Sequence, residues 1–257
     1  MIKVCFCATR NLYDKLAITL TSLWHHNPDA FVYLILEDSE FPYFKSSQLK
    51  VINVADLNLD VRDTNPNLRR FCTYMSLIRA YLPVILTDEP KVISCDVDLI
   101  FNGNLDDVWS WDMRDNYILA TPEFQKTFPN NNILHFNEPY VNTGVCIMDL
   151  DLMRKHHITE QLSDFMNVVS LSWPDQDALN YICKGHIMLL PQTYNSNMYT
   201  GMATKPMIFH GTPNKPWDSS ENNYLYPVWQ YYEEMYKRVY LAIDSGEDSS
   251  EELSDGN

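Results

Sequence analysis

Glycine and long apolar runs are scarce in this sequence, and each scarcity argues against a class of protein. Only 7 of the 257 residues are glycine, and no glycine-rich loop of the kind that cradles phosphates is present. No apolar run reaches the ~18 residues that a membrane-spanning helix needs. The first segment, MIKVCFCATRN, is too short for the apolar core of a signal peptide. We therefore expect no transmembrane segment.

The six cysteines show no metal-binding or disulfide pattern. Cys5 and Cys7 point to the same face of a predicted strand, but no second pair completes a zinc site. The other cysteines are scattered, and the sequence contains no Asn-x-Ser/Thr glycosylation site. These features are typical of buried free thiols in a reducing compartment, so we expect a cytoplasmic protein.

Basic residues are outnumbered by acidic ones. The chain has 34 acidic and 19 basic residues and a formal net charge of −15, which disfavours nucleic acid as a partner. Residues 244–257 (DSGEDSSEELSDGN) contribute six of these acids, with no base and no aromatic residue. That composition is typical of a solvated, disordered segment. We predict one domain over residues 1–243 and an acidic tail over residues 244–257.

The apolar pattern predicts an α/β fold. Short apolar runs of strand length alternate with segments whose apolar residues recur at helical spacing, which indicates βαβ units and a mostly parallel sheet. The predicted strands are IKVCFCAT, FVYLILED, LKVINVADL, KVISCDVD, NYILATPEF, GVCIMDLDLM, HIMLLP and KPMIFH. The predicted helices are RNLYDKLAITLTSLWHH, LRRFCTYMSLIRAYLP ending at Pro83, residues 158–170, 174–184 and 224–242.

Two aspartates, one residue apart, follow a predicted strand. In VISCDVDLIF, Asp96 and Asp98 come directly after the apolar run VISC. Side chains alternate between the faces of a strand, so these carboxylates can converge only if the chain turns just after Cys95. Converging carboxylates repel each other, and a hard cation such as Mg²⁺ or Mn²⁺ relieves the repulsion. The alternative is that one aspartate caps a turn while the other is merely solvated.

A second strand end carries a histidine and a lysine. His210 ends the run PMIFH, and Gly211 and Pro213 then turn the chain to present Lys215. Alone, such a histidine is accounted for by a structural role. Beside two carboxylates it becomes a candidate third metal ligand, and an imidazole shifts the preference from Mg²⁺ towards Mn²⁺. Lys215 would then neutralise a metal-bound phosphate.

Two further motifs follow in the chain. Asp175 and Gln176 open a predicted helix in WPDQDALN, where an acid also serves as an ordinary helix cap. Asn142 and Gly144 precede the predicted strand in VNTGVCIMDL, where an Asn-x-Gly sequence is usually a turn.

Taken in order, these segments resemble glycosyltransferase family 8, which includes glycogenin and bacterial lipooligosaccharide galactosyltransferases. The matching segments cover most of residues 1–217: CFCATRNLYDKLAITLTSL, RFCTYMSLIRAYLP, VISCDVDLIF, VNTGVCIMDL, WPDQDALN and HGTPNKPW. The resemblance implies a single-domain type A glycosyltransferase fold with a Rossmann-like nucleotide-binding half and a mostly parallel mixed sheet flanked by helices. It also implies transfer of a sugar from a UDP-sugar with retention of anomeric configuration and dependence on Mn²⁺.

The same resemblance assigns roles to residues. Asp96, Asp98 and His210 match the metal ligands, and Asp96, Asp175 and Gln176 form the implied catalytic set, with Gln176 facing the reacting carbon. The positions implied to hold the nucleotide and donor sugar are Ala8, Thr9, Asn11, Arg79, Val97, Asn142, Gly211 and Lys215. The chain departs from the family pattern in two places. His210 and Lys215 are separated by four residues instead of five, and Thr9-Arg10 replaces an acidic residue often found near the uracil.

These observations predict a retaining hexosyltransferase that uses a UDP-sugar, with glucose or galactose favoured, and Mn²⁺ or Mg²⁺. The acceptor is a hydroxyl of an unidentified glycan, glycolipid or protein. Two alternatives remain open at this point: a metal-dependent nucleotidyltransferase, since paired aspartates serve that chemistry too, and a catalytically inactive, sugar-nucleotide-binding scaffold of the same fold.

Overall fold

The computed structural model describes residues 1–68, 74–123 and 139–241. Its strands are β1 (Lys3–Ala8), β2 (Phe31–Leu36), β3 (Leu49–Asn53), β4 (Lys91–Cys95), β5 (Leu99–Phe101), β6 (Ile118–Pro122), β7 (Val141–Asp149), β8 (Ile187–Leu189) and β9 (Ile208–His210). Its α-helices are α1 (Tyr13–His26), α2 (Tyr74–Leu77), α3 (Leu82–Ile85), α4 (Asp106–Trp109), α5 (Leu150–Lys155), α6 (Ile158–Val168), α7 (Pro174–Ile182) and α8 (Tyr226–Tyr236). Shorter 3₁₀ segments and a π-helical turn, Lys237–Leu241, complete the described elements.

Seven strands form one mixed sheet in the order β3-β2-β1-β4-β7-β6-β8. Four neighbouring pairs run parallel, whereas β7 is antiparallel to both of its neighbours, β4 and β6. The remaining two strands, β5 and β9, pair with each other in a separate small antiparallel sheet. The predicted α/β architecture with a mostly parallel sheet is therefore confirmed.

Both faces of the large sheet are buried, which explains why its strands are apolar without a polar alternation. Along β1, Val4 and Phe6 belong to the core on the side of α1 and α8. Cys5, which points the other way, belongs to the core that includes α5, α6 and α7. The five cysteines within the described residues are free thiols, and four of them are buried.

The chain leaves the large sheet at Cys95 and enters the small sheet at Leu99, so Asp96 and Asp98 stand in the connection between two strands. Backbone groups in such a connection need partners outside the strand ladder. The hydroxyl of Thr19, on the buried face of α1, donates to the carbonyls of Val97 (2.6 Å) and Leu99 (3.1 Å). The predicted turn after Cys95 is confirmed, and α1 supports it.

Several predicted boundaries were wrong, each for a local reason. The predicted helix 68–83 is broken: α2 is followed by a 3₁₀ turn at Ile78–Tyr81, and Pro83 lies in the first turn of α3, where its missing N–H costs nothing. The predicted strand GVCIMDLDLM ends at Asp149, whose side chain accepts a hydrogen bond from the Leu152 N–H and so caps α5. The predicted strand LKVINVADL ends at Asn53 and continues as a 3₁₀ turn.

The predicted tail over residues 244–257, residues 69–73 of the predicted helix 68–83, the last residue of the predicted strand NYILATPEF and the last residue of the predicted helix 224–242 lie outside the described residues. Within the described ranges, no helix combines the length and apolarity that crossing a membrane requires.

The support from α1 leads to a stability prediction. Replacing Thr19 by Val keeps the side-chain volume but removes a buried donor from two carbonyls, so we expect the free energy of unfolding to fall by about 1–3 kcal/mol. Urea denaturation measures the loss. Thr21→Val is the matched control, because the Thr21 hydroxyl donates only to the Ala17 carbonyl within the same helix. Equal losses in both variants would contradict the supporting role of Thr19.

Candidate active site

A cavity of about 570 Å³ opens where β1 and β4 end and β7 begins. Loops that follow parallel strands meet at this edge of an α/β sheet, which is where such folds bind ligands. Ten residues predicted from the sequence line it: Thr9, Arg79, Asp96, Val97, Asp98, Asn142, Asp175, Gln176, His210 and Lys215. The fold thus brings together residues as far apart in the chain as Thr9 and Lys215.

Three other predicted residues are close to the cavity without lining it. Ala8 is the buried last residue of β1, and Asn11 accepts a hydrogen bond from the Thr9 hydroxyl at 2.6 Å. Gly211 donates its N–H to the Asp98 carbonyl at 2.8 Å. A side chain at Gly211 would meet Pro216 Cδ at 2.2 Å, so the close approach of the chain here requires glycine.

Asp96, Asp98 and His210 form a cluster that could hold a metal ion, since one ligand atom from each lies within 4.8 Å of the others. Nε2 of His210 is 3.5 Å from a carboxylate oxygen of Asp98 and 3.7 Å from one of Asp96. Asp98 and His210 are buried, whereas the Asp96 carboxylate is partly open to the cavity. Asp96 therefore faces the side from which a ligand would enter.

Lys215 reaches the same cluster although its loop is one residue shorter than the family pattern. Its Nζ lies 2.5 Å from the second carboxylate oxygen of Asp98. Burial acts to raise the pKa of Asp98, but the charged form of His210 and the ammonium group of Lys215 together outweigh burial and hold that pKa below its usual value. The Asp98 carboxylate is therefore held in its charged form, which is the form that binds a cation.

Arg79 connects two of the acidic residues. Its guanidinium donates to the carboxylate of Asp96 and, at 2.9 Å, to that of Asp175. Its other hydrogen bonds run to the hydroxyls of Ser94 and Thr143 at 2.9 and 3.1 Å. Burial acts to lower the pKa of Arg79, but the two carboxylates raise it above its usual value. Arg79 is thus a fixed, fully oriented cation.

Asp175 is partly buried beside this arginine at the start of α7. Burial raises its pKa to about 6, although the positive charge of Arg79 opposes the shift. The carboxylate of Asp175 bonds to Arg79 and also interacts with the backbone N–H groups of Asp175 and Gln176 in the first turn of α7, so it serves the helix start as well as the arginine. The N–H groups of Ser172 and Trp173, which precede the helix, donate to Asp177.

The amide of Gln176 is oriented by three neighbours. Its carbonyl oxygen accepts the Thr143 N–H at 3.0 Å, and its NH₂ group donates to the Tyr140 hydroxyl at 3.1 Å and to Glu123 at 3.4 Å. Glu123 also accepts a hydrogen bond from the Asn142 side chain at 2.8 Å. Burial raises the pKa of Glu123, and the two amide donors partly offset this effect.

Asn142 and Gly144 lie within β7, so the alternative that the Asn-x-Gly sequence forms a turn before the strand does not hold. A Cβ atom on Gly144 would meet the His210 ring, with Cε1 at 2.2 Å and Nδ1 at 2.7 Å. The imidazole therefore packs directly on the backbone of β7, which only glycine permits.

The sequence analysis missed several residues of this site. Glu123 directly follows β6 in the structure, whereas the predicted strand NYILATPEF contained it, so it was not marked as an acid at a strand end. Trp173 and Tyr199 also line the cavity, but neither stands in a pattern that points to a ligand. Asn195, which bonds to both Asn142 and His210, lies in an irregular segment where no periodicity operates.

Comparison with known proteins identifies the family. The sequence model for glycosyl transferase family 8 matches residues 3–221. Glycosyltransferase GlyA of Streptococcus pneumoniae is 22% identical over 244 residues, covering 89% of this chain and 34% of GlyA. The probable glycosyl transferase Gly of Streptococcus gordonii is 21% identical over 245 residues, covering 90% of this chain and 35% of Gly. The chain thus spans about a third of the length of these two curated relatives.

The solved structures agree on the fold. The galactosyltransferase LgtC, determined in complex with donor and acceptor sugar analogs, superposes with a TM-score of 0.74 at 18% identity, over 91% of this chain and 96% of LgtC. This likeness shows the type A glycosyltransferase fold. With the family match over nearly the whole described chain, it follows that this protein belongs to glycosyltransferase family 8.

Proposed function

We propose that this protein is a retaining glycosyltransferase that moves a hexose from a UDP-sugar to an acceptor hydroxyl and depends on a divalent cation. The observation that carries the proposal is the convergence of Asp96, Asp98 and His210, with Lys215 beside them, in the cavity at the sheet edge. Family membership supports sugar transfer over the nucleotidyl transfer considered from the sequence alone.

The residues present fit a divalent cation. Two carboxylates and one imidazole are a donor set suited to Mn²⁺, with Mg²⁺ as the harder alternative. The lining contains two more carboxylates than basic groups, which one dication would balance: Asp96, Asp98, Glu123 and Asp175 against Arg79 and Lys215. When bound by Asp96, Asp98 and His210, the cation would supply positive charge against the diphosphate of the donor.

The surrounding residues suit the two halves of a nucleotide sugar. Thr9 and Val97, near the ends of β1 and β4, are proposed to contact the nucleoside, supported by Ala8 and Asn11. Lys215 and Gly211 are proposed to hold the diphosphate, since an ammonium group and a backbone N–H are both suitable donors. Arg79, Asn142, Asp175 and Gln176 offer charged and amide groups for the hydroxyls of the donor sugar.

The proposed reaction follows from these placements. The bond between the anomeric carbon and the diphosphate oxygen breaks, and its electron pair stays on the phosphate, where Lys215 stabilises the growing charge. The acceptor oxygen forms the new bond on the same face of the sugar, and its proton passes to the departing phosphate. The amide of Gln176 is a poor nucleophile and Asp175 is bonded to Arg79, so we favour this same-face attack over a covalent intermediate.

Release of UDP in the absence of an acceptor tests the proposal. With a panel of UDP-sugars and Mn²⁺, we expect slow hydrolysis of a single UDP-hexose, loss of that hydrolysis when the metal is removed, and no release above background in Asp98→Ala. Asp164→Ala serves as the control, because its carboxylate is on the surface, 78% exposed. Release that persists without metal or in Asp98→Ala would contradict the metal-dependent mechanism.

The same preparation separates an enzyme from an inactive scaffold. If no donor is hydrolysed, calorimetry with UDP and Mn²⁺ measures whether the nucleotide site exists. Binding without turnover, even when a panel of glycan acceptors is supplied, would favour the scaffold alternative, and absence of UDP binding would refute both.

The position of Gln176 gives a second prediction. Gln176→Ala removes an amide held in one orientation by Thr143, Tyr140 and Glu123, and a misplaced donor sugar costs about 100-fold in rate. We expect kcat to fall by that order while the Kd for Mn²⁺ is unchanged. Gln161→Ala, on α6, is the control. A variant with nearly the wild-type rate would show that Gln176 does not face the reacting carbon.

The contact between Gly144 and His210 gives a third prediction. Gly144→Ala would place a methyl group against the imidazole and displace it, so we expect the Kd for Mn²⁺ to rise by about tenfold or more. Gly103→Ala is a matched control, because its added methyl meets the flexible Met207 side chain instead. Manganese titration followed by electron paramagnetic resonance measures both. Unchanged affinity in Gly144→Ala would argue against His210 as a metal ligand.

A further inference from the structure

The side of His210 that faces away from the carboxylates is bonded to a fully buried amide. Nδ1 of the imidazole lies 2.8 Å from Oδ1 of Asn195, a residue with no exposed surface. Nε2, on the opposite side of the ring, faces Asp96 and Asp98. A neutral imidazole carries its single proton on one nitrogen only, so the polarity of the Asn195 contact decides which nitrogen is left with a free electron pair.

The neighbours of Asn195 determine which end of its amide meets the histidine. Its Nδ2 lies 2.9 Å from Oδ1 of Asn142. The Asn142 oxygen is identified by the Gly144 backbone N–H, which can only donate, at 3.0 Å. The NH₂ group of Asn142 points the other way, towards the Glu123 carboxylate at 2.8 Å. Asn195 must therefore turn its NH₂ group to Asn142 and its oxygen to His210.

A second set of contacts gives the same orientation independently. The NH₂ group of Asn197 donates to Oδ1 of Asn195 at 3.0 Å, so this atom of Asn195 has to be the acceptor. The Asn197 amide is itself oriented, because its oxygen accepts the N–H groups of Tyr199 and Thr200 at 2.8 and 3.0 Å. The contact between Asn197 and Nδ1 of His210 is longer, 3.5 Å, and does not compete with the 2.8 Å bond.

We infer that Asn195 is a positioning residue that fixes the tautomer of His210. With an oxygen as its nearest partner, Nδ1 carries the proton and donates it to Asn195. Nε2 is then left as a bare electron pair directed between Asp96 and Asp98, which is the state a metal ligand requires. This inference rests on the proposed metal site and adds the residue that prepares it.

The alternative tautomer explains why such a residue is needed. Near two carboxylates, an imidazole without a buried acceptor would place its proton on Nε2 and donate it to Asp98 or Asp96. A metal could then bind only after the ring had changed tautomer. Asn195 removes this competing state, because a proton moved to Nε2 would leave Nδ1 and the buried Asn195 oxygen facing each other without a hydrogen between them.

The first test reads the tautomer in the metal-free wild-type protein. Long-range ¹H–¹⁵N correlation spectra distinguish the two ring nitrogens by their couplings and show which one carries the proton. The spectra are recorded at a pH high enough to give two distinct nitrogen shifts, and His210→Gln identifies the resonances. We expect a proton on Nδ1 and a pyridine-type Nε2. A proton on Nε2 would overturn the inference regardless of any variant.

The second test compares three variants by Mn²⁺ titration. Asn195→Ala removes the acceptor, so we expect the Kd to rise by about 10–100-fold and the proton to move to Nε2. Asn195→Asp keeps an acceptor for Nδ1–H but sets its second oxygen against Oδ1 of Asn142, so we expect the Nδ1 proton to be retained and the Kd to rise less than in Asn195→Ala. Asn167→Ala is the control, since it deletes a buried amide that bonds to Asp60 and Asn65 away from the cavity, and its Kd should not change.

The outcomes separate the inference from the proposed function. A wild-type Kd in Asn195→Ala, with the tautomer unchanged, would refute the role of Asn195. If Asn195→Ala does not fold, loss of the Nδ1 proton in Asn195→Asp, which still offers an acceptor there, would refute it equally. A wild-type protein that binds no Mn²⁺ would refute the proposed metal site, while the nitrogen spectra would still decide the tautomer.

Discussion

The repulsion between the carboxylates of Asp96 and Asp98 is the constraint on which the rest of the site depends. Two anions held in one small space need cations or donors around them, or they become protonated or move apart. The chain supplies these groups from distant segments. Lys215 contacts Asp98, Arg79 contacts Asp96, and His210 lies against both. Arg79 in turn binds Asp175, so the start of α7 is tied electrostatically to the end of β4. The segments that carry Arg79, His210 and Lys215 are therefore positioned around the cavity by their contacts with the negative charges that follow β4.

The same two aspartates determine the course of the backbone. A continued strand would send the side chains to opposite faces, so the chain must leave the sheet between Cys95 and Leu99, and its backbone groups must bond elsewhere. Asp96 donates its N–H to the Gly144 carbonyl, and the Asp98 carbonyl accepts the Gly211 N–H. The hydroxyl of Thr19 on α1 donates to the carbonyls of Val97 and Leu99. The hydrogen bonds that satisfy the backbone of this connection also determine where the carboxylates of Asp96 and Asp98 point. A change that weakens the connection is therefore expected to displace the carboxylates too.

The sequence predicted the parts of this protein that follow from strand ends and apolar periodicity. β1, β2, β4 and the helices α1, α6 and α7 came from such patterns, and Asp96, Asp98 and His210 came from residues directly after or at the end of apolar runs. What could not be predicted depends on contacts across the fold. The two carboxylate partners of Arg79 come from the connection after β4 and from α7, and no local pattern relates these segments to Arg79. Asn195 lies in an irregular segment, where a buried amide looks the same in sequence as a solvated one. The continuation of the chain as a helix beyond Pro83 was missed because a proline can either end a helix or begin the next one.

The buried amides of Asn142 and Asn195 give the site hydrogen bonds with a defined donor-to-acceptor direction, which charged groups alone do not provide. Carboxylates attract any cation or donor from a wide range of angles, whereas an asparagine has one end that donates and one that accepts. In a row of hydrogen-bonded amides, the orientation of one amide therefore determines the orientation of the next. The Gly144 N–H fixes Asn142, Asn142 fixes Asn195, and Asn195 directs the proton of His210 away from the carboxylates. The opposite end of Asn142 binds Glu123, which also accepts from Gln176 on the proposed donor-sugar side. Since every member of this row has its orientation set by its neighbour, a change at either end alters the hydrogen bonds available at the other. The metal cluster and the proposed sugar pocket are consequently parts of one hydrogen-bonded network, with the backbone of β7 as its fixed point.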